Sequence, residues 1–224
     1  MTLPPGQSMV TEFARFGLPA YADRFPPADA SADVLTVLKD GVAAVDITKV
    51  PRTTQRSDFH CVTGWSCVDL QWEGYRFRDI YAAAMSDDAA NGPDADHVLI
   101  KCHDGFRSIL PLEDMLAEDV MIADTLGDAP LTVEHGAPLR LIAPAHYGYK
   151  SAKHIKSVAL VKGVAGFRNP RLFFLIHPRG RVAQEERGRG LPGWLLRYVY
   201  RPLVGSTRRR FAAALAQYSK ASLS

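Results

Sequence analysis

Between residues 34 and 161 apolar and polar positions change over in short blocks, with no long stripe of helical period. Blocks of this length predict strands separated by turns and short helices. Residues 34–38 and 42–47 are apolar runs on either side of Asp40-Gly41, a strong local signal for a hairpin. An extended run follows at 58–62, a helix is expected at 78–85, and 98–102 reads as a buried strand before a second Asp-Gly turn at Asp104-Gly105. Pro111 is placed to open a helix over 110–116. Strands at 121–126, 139–143 and 155–161 complete the set. Most of these strands lie too close together for right-handed crossover helices between every pair, so the pattern predicts an α+β fold of mixed sheets with short helices.

The 224 residues are 47% hydrophobic and 23% charged, enough to build one substantial core. The net charge of +3 conceals an asymmetry. Residues 171–224 hold eleven lysines and arginines against only Glu185 and Glu186, a local charge of +9 that leaves −6 on the first 170 residues. This shift predicts a compact domain over 1–170 and a basic C-terminal arm over 171–224. Trp194, Tyr198 and Tyr200 alternate in the arm with Arg197 and Arg201, and Arg208-Arg209-Arg210 follow. That mixture suits contact with anionic lipid or with an acidic redox partner, and an arm that wraps back onto its own domain is the alternative. No nucleic-acid-binding module is recognisable, so nucleic acid is not an expected partner. The first ten residues carry no basic and apolar export signal, and no run of 18 apolar residues occurs. The cytoplasm is the expected compartment, with the arm a candidate for peripheral contact with the inner face of the membrane.

Three cysteines, Cys61, Cys67 and Cys102, are an odd number whose spacing fits no zinc pattern, and they read as reduced thiols. Cys61 ends an apparent strand in Asp58-Phe59-His60-Cys61-Val62-Thr63-Gly64-Trp65-Ser66. The residues alone leave several readings open. Cys61 is a buried small hydrophobe, or a thiolate nucleophile beside His60. Neighbouring strand residues point to opposite faces, which places His60 poorly to act on Cys61. A second cluster, His135-Gly136-Ala137-Pro138-Leu139-Arg140 followed by Tyr147-Gly148-Tyr149-Lys150-Ser151-Ala152-Lys153, combines cations, a hydroxyl and a glycine in a composition suited to gripping a phosphate. A solvated basic loop is the alternative.

Together the two clusters resemble the molybdopterin-binding domain of the sulfite oxidase family, and most closely its small stand-alone bacterial members. The segment from Phe59 to Ser66 is similar to the family's metal-ligand motif, which reads Cys-Val-x-x-Trp-Ser in the methionine-sulfoxide reductase branch as it does here. The stretch from Leu139 to Lys153 is similar to its second hallmark. The resemblance spans about residues 13–161. It implies the sulfite oxidase fold, a molybdenum–molybdopterin cofactor in its simple monophosphate form, and Cys61 as the protein's ligand to the metal. It further implies cofactor contacts from Phe13, Ala14, Arg15, Phe16 and Gly17, from His60 and Cys102, from His135 and Arg140, and from Lys150, Ser151, Ala152 and Lys153 at the phosphate end.

The substrate-facing positions depart from those of sulfite oxidases. Arg15 is retained, but Ser66 stands where that family has an arginine and Phe106 where it has a tyrosine. The loss of a buried charged donor and a phenol, each worth about 1–3 kcal/mol, disfavours sulfite oxidation. Arg107 is a candidate to restore the charge. The expected activity is therefore two-electron oxygen-atom transfer on a small substrate of S- or N-oxide type, with Cys61, Arg15, Phe106 and Arg107 nearest the chemistry and electrons exchanged with a separate partner. A non-catalytic molybdopterin-binding or carrier protein is the alternative, and a cofactor-free cysteine enzyme a further one.

Overall fold

The computed structural model of the chain describes residues 2–39, 41–85, 94–164, 167 and 177–221. In chain order the elements are β1 (Ser8–Met9), β2 (Val34–Lys39), β3 (Gly41–Asp46), β4 (Arg52–His60), β5 (Trp65–Arg76), α1 (Phe77–Met85), β6 (His97–Cys102), β7 (Arg107–Pro111), α2 (Leu112–Met115), β8 (Met121–Leu126), β9 (Ala129–Pro130), β10 (Arg140–Ile142), β11 (Ile155–Val161), α3 (Gly193–Tyr200) and α4 (Leu203–Ala221). Single 3-10 turns occupy Pro19–Tyr21 and Ile47–Lys49. The fold is α+β, as the pattern of short blocks predicts.

The strands form two mixed sheets. In the first, β5 is the central member. One of its edges carries β4 antiparallel along almost its whole length, while the other is shared between β8, antiparallel at Trp72–Arg76, and β1, parallel at Trp65 and Ser66. β10 and β9 extend the sheet through β8. The second sheet has the order β3-β2-β11-β6-β7, with β11 parallel to β2 and antiparallel to β6. The hairpin anticipated at Asp40-Gly41 is present, β2 pairing with β3, and the second Asp-Gly turn also closes a hairpin, of β6 with β7. At the second, Gly105 takes φ +83°, a conformation open to glycine at little cost. Asp40 of the first lies outside the described residues.

The core lies between the sheets and under the short helices. Leu35 and Val37 of β2, Val98 and Ile100 of β6, Leu110 of β7 and Val158 of β11 meet Phe77 and Ile80 of α1, Met115 of α2 and Leu141 of β10 in one apolar cluster. A smaller cluster gathers Trp72, Met121, Ala123, Leu131 and Ile142 on the first sheet.

Three local expectations change. The helix anticipated over 110–116 is confined to Leu112–Met115, because Leu110 pairs with Val98 inside the second sheet and Pro111 serves as the helix's N-cap. The strand read at 58–62 is the end of β4, which begins at Arg52 and stops at His60. β5, the longest strand, was not anticipated as a unit: its alternation is broken by Asp69 at φ +56° and by a register shift between Glu73 and Gly74.

For the basic C-terminal arm expected over 171–224, the described residues follow the alternative in which it wraps back onto the domain. The boundary at 170 lies outside the described residues, but from His177 onward the chain is built into the domain. Arg179 Nε donates to Asp114 Oδ2 at 2.8 Å, and the backbone N–H groups of Tyr147 and Val182 donate to the carbonyls of Gly180 and Ala145. Leu196 and Tyr200 of α3 and Thr207, Phe211 and Ala214 of α4 are buried. The basic residues give the segment its charge, whereas the apolar ones between them fix its place. Among the described residues no helix is long and apolar enough to cross a membrane.

Candidate functional site

Three loops and the C-terminal helices enclose one cavity, of about 1290 Å³ with its open mouth included. Cys61 reaches it from the turn between β4 and β5. That turn is closed by Cys61 N–H donating to Trp65 O at 2.8 Å and Gly64 N–H donating to Cys61 O at 3.0 Å, with Gly64 at φ +101°. From outside, Gln7 Nε2 donates to the Cys61 carbonyl at 3.2 Å. The Cys61 sulfur is buried, lines the cavity and lies 3.1 Å from Thr63 Oγ1. Burial pushes its thiol up to about 11, partly opposed by the Thr63 hydroxyl and by the charges of Arg187 and Lys153.

Three cations line the same cavity. Arg140 starts β10 and is almost wholly buried. Its guanidinium lies 5.1 Å from the ring centres of Phe13 and Phe59 and 5.3 Å from that of Trp72, and donates to His135 O at 2.9 Å. Its Nε has no partner, and burial pushes it down to about 9. Lys153 Nζ donates to Glu134 O at 3.3 Å, and burial lowers it well below the ordinary lysine range. Arg15 donates to the carbonyls of Ala22 and Arg24 at 2.6 and 3.1 Å, lies over the rings of Phe25 and Phe211, and also keeps an unpartnered buried Nε. Two carboxylates line the cavity as well: Glu134 accepts from Arg15 N–H at 2.9 Å, and Asp104, raised by burial, accepts from Phe106 N–H at 2.8 Å. Among the described residues no carboxylate lies within ion-pair distance of Arg140 or Lys153. Buried cations with spare donors mark a site that receives an anion.

Aromatic rings make the walls. Phe13 stacks on His135 with ring centres 5.3 Å apart, Phe16 meets Trp65 edge-on at 5.7 Å, and Phe106 meets Tyr21 edge-on at 5.4 Å. Gly148 closes the floor: its N–H donates to His60 O at 2.8 Å, and a Cβ there would lie 2.0 Å from the Phe59 ring.

Of the residues expected at the site, Phe13, Ala14, Arg15, Phe16, Gly17, Cys61, Phe106, His135, Arg140, Ser151, Ala152 and Lys153 line this cavity. His60, Cys102, Lys150 and Arg107 do not. His60 faces the opposite side of β4 from the cavity and holds Ser66 through a 2.8 Å contact between Nδ1 and Oγ. Cys102 shares the inward face of β6 with Val98 and Ile100 and belongs to the apolar core. Lys150 points away from the cavity, and its buried ammonium donates to Ile109 O at 2.7 Å and lies 5.8 Å from the Tyr149 ring centre. Arg107 sits on β7 with its guanidinium 5.8 Å over the Phe167 ring. Ser66 is also outside the cavity, donating to Gln7 Oε1 at 3.0 Å. Sequence reasoning missed Thr63, Tyr21 and His154, and it missed Tyr200, Thr207 and Phe211, which the C-terminal helices bring to the cavity.

Comparisons with known proteins agree with this geometry. The family model described as the oxidoreductase molybdopterin binding domain matches residues 40–165. The uncharacterized oxidoreductase YuiH of Bacillus subtilis is 38% identical over 117 residues, which cover 52% of this chain and 57% of that protein. The catalytic subunit MsrP of the protein-methionine-sulfoxide reductase of Campylobacter jejuni is 26% identical over 129 residues, covering 52% of this chain and 43% of it. The chain thus spans about half the length of the curated relatives it matches. The crystal structure of the sulfane dehydrogenase SoxCD of Paracoccus pantotrophus shares the fold, with a TM-score of 0.54 at 18% identity over 81% of this chain and 54% of that one. With its match over more than half the chain, the protein belongs to the family of oxidoreductase molybdopterin-binding domains.

Proposed function

We propose that the chain is a molybdenum–molybdopterin oxidoreductase that carries out two-electron oxygen-atom transfer on a small substrate of S- or N-oxide type, with the Cys61 thiolate as the protein's ligand to the metal. The observation that carries this reading is the meeting of one buried thiol with the buried Arg15 and Arg140 and the half-buried Lys153 in a single cavity, where Arg140 Nε and Arg15 Nε lack partners. These residues fit the cofactor. A soft thiolate suits a sulfur-rich transition-metal centre, and the cations suit the phosphate at the pterin's far end. When bound, the cofactor supplies the two-electron redox chemistry, and the protein supplies position and electrostatics.

The chain's own groups divide the remaining work. Burial favours the protonated form of Cys61 Sγ, and a metal held there would be bound by the thiolate. The Thr63 hydroxyl lies within reach to donate to that sulfur. Arg140, Lys153 and Arg15 would hold the phosphate, and the rings of Phe13, Phe16 and Trp65, which line the same cavity, would exclude water from the bound group. The carrier alternative draws on missing donors at Ser66 and Phe106. Ser66 points out of the cavity, and Tyr21 presents a phenol-bearing ring to the same cavity beside Phe106, which supports the enzyme reading. A cofactor-free cysteine enzyme is disfavoured by a thiol held protonated at neutral pH. Electrons come from or go to a separate partner, in keeping with the naming of the Campylobacter relative as a catalytic subunit.

The test is metal analysis of protein from a molybdenum-competent host. Wild type is expected to hold about one molybdenum per chain and to show thiolate-to-metal absorption. Cys61→Ser should remain folded and lose that absorption and all turnover, whereas Cys67→Ser should keep both. Full turnover by Cys61→Ser would sink the assignment.

A further inference from the structure

The C-terminal helices leave one face uncovered. Leu196 and Tyr200 turn inward from α3, but Trp194 and Tyr198, one helical turn apart, are 54% and 56% exposed. Leu191 just before α3, Val199 within it and Leu203 at the start of α4 are also exposed, at 49%, 51% and 53%. Single exposed apolar residues are ordinary, but five large ones on adjoining turns are not. The charge around them is mostly positive, with Glu185 4.0 Å from Arg197 and Glu12 2.7 Å from Arg208 as its acidic neighbours. Residues 188–224 contain seven lysines and arginines and no aspartate or glutamate. Arg197 lies 5.1 Å over the Tyr198 ring, and Arg201, Arg209 and Arg210 are exposed on the turns that follow.

We propose that this face docks the protein on an anionic lipid surface. Aromatic and aliphatic side chains one turn from arginines can enter the boundary between headgroups and acyl chains while the guanidinium groups stay at the phosphates. The absence of acidic residues over this stretch removes the repulsion that anionic headgroups would meet. Leu203 belongs both to the exposed face and to the wall of the cavity, so docking brings the cavity's rim to the lipid surface. A substrate or electron carrier dissolved in the bilayer would then reach the site without crossing bulk water. The proposal stands on the surface alone and does not depend on the cofactor.

The experiment is co-sedimentation of the full chain with phosphatidylcholine vesicles, with and without phosphatidylglycerol. Binding is expected to the anionic vesicles and to weaken with salt. Arg201→Ala and Arg209→Ala should each lower the partition coefficient about fivefold, corresponding to ~1 kcal/mol per charge. Trp194→Glu combined with Tyr198→Glu should lower it about tenfold or more. Lipids brominated on the acyl chains should quench part of the tryptophan emission of wild type, and that part should vanish in Trp194→Phe. Equal sedimentation of wild type and the double variant, or no preference for anionic vesicles, would overturn the proposal. So would binding to soluble polyglutamate without binding to vesicles, which would assign the face to an acidic protein.

Discussion

Arg187 Nη1 donates at 2.6 Å to the carbonyl of Val62, the residue that follows the cavity-lining Cys61. The same guanidinium donates to Pro5 O at 3.0 Å and lies 5.0 Å from the Tyr147 ring centre, and its side chain is wholly buried. One residue of the C-terminal segment thus ties together the N-terminal strand and the turn that presents the thiol. Arg187→Met should leave two carbonyls without their charged donor and cost about 3 kcal/mol in urea unfolding. Arg187→Lys keeps the charge but cannot span both carbonyls, and should recover only part of the loss. Both variants should retain less molybdenum than wild type.

Lys153 should show the opposite trade. Desolvation without a carboxylate ion pair makes its ammonium a cost to the folded chain, and a phosphate held there, as proposed, would offset that cost. Lys153→Met is expected to stabilise the cofactor-free protein by about 1–2 kcal/mol and to weaken retention of the cofactor. The sign of the pH effect follows from the lowered folded value. The penalty is fully present at low pH and disappears as pH rises toward the unfolded value of 10.5. The stability gap between variant and wild type should therefore be widest in acid, below the folded value, and close as pH rises toward 10.5.

The thiol and the cations that line the cavity were legible in the sequence because each belongs to a motif with its own chemistry. What could not be read was direction. His60 and Cys61 are neighbours, but His60 ends β4 facing Ser66 while Cys61 starts the turn that carries its sulfur to the cavity. Cys102 obeys the alternation of β6, which aligns it with Val98 and Ile100 in the core. Lys150 and Lys153 occupy one loop, yet Lys150 pins the backbone at Ile109 while Lys153 faces the cavity. The contribution of Tyr200, Thr207 and Phe211 was hidden by composition. A basic segment reads as an arm, and only tertiary packing shows that its few inward residues complete the wall.

Gly148 and Phe59 offer a test of how closely the floor of the cavity is packed. A Cβ at Gly148 would meet Phe59 Cζ at 2.0 Å, and the ring is already held against Phe13 at 5.0 Å and Trp65 at 5.7 Å, so it has little room to retreat. Gly148→Ala should cost about 2 kcal/mol and push the ring toward the cavity, lowering cofactor occupancy. Phe59→Leu should relieve the overlap, so a double-mutant cycle is expected to give a favourable coupling of about 1 kcal/mol or more.

Acid should destabilise the protein in a range set by its histidines. His154 is buried next to Lys153, and its Nδ1 lies 2.6 Å from Ala137 O. Burial, together with the charges of Lys153, Arg15 and Arg140, brings it down from 6.5 to about 4. His60, His135 and His146 are lowered by burial as well. Between the unfolded value of 6.5 and the lower folded values the unfolded chain binds more protons, so stability falls as pH drops through that window. Asp104, raised by burial, acts in the opposite sense at lower pH. His154 contributes about 3 kcal/mol of this loss when the window has been crossed. Its backbone is at φ +56°, which asparagine tolerates better than most residues. His154→Asn should therefore fold and flatten the decline of the urea midpoint between pH 6.5 and 4, and an unchanged slope would show that His154 is not the group responsible.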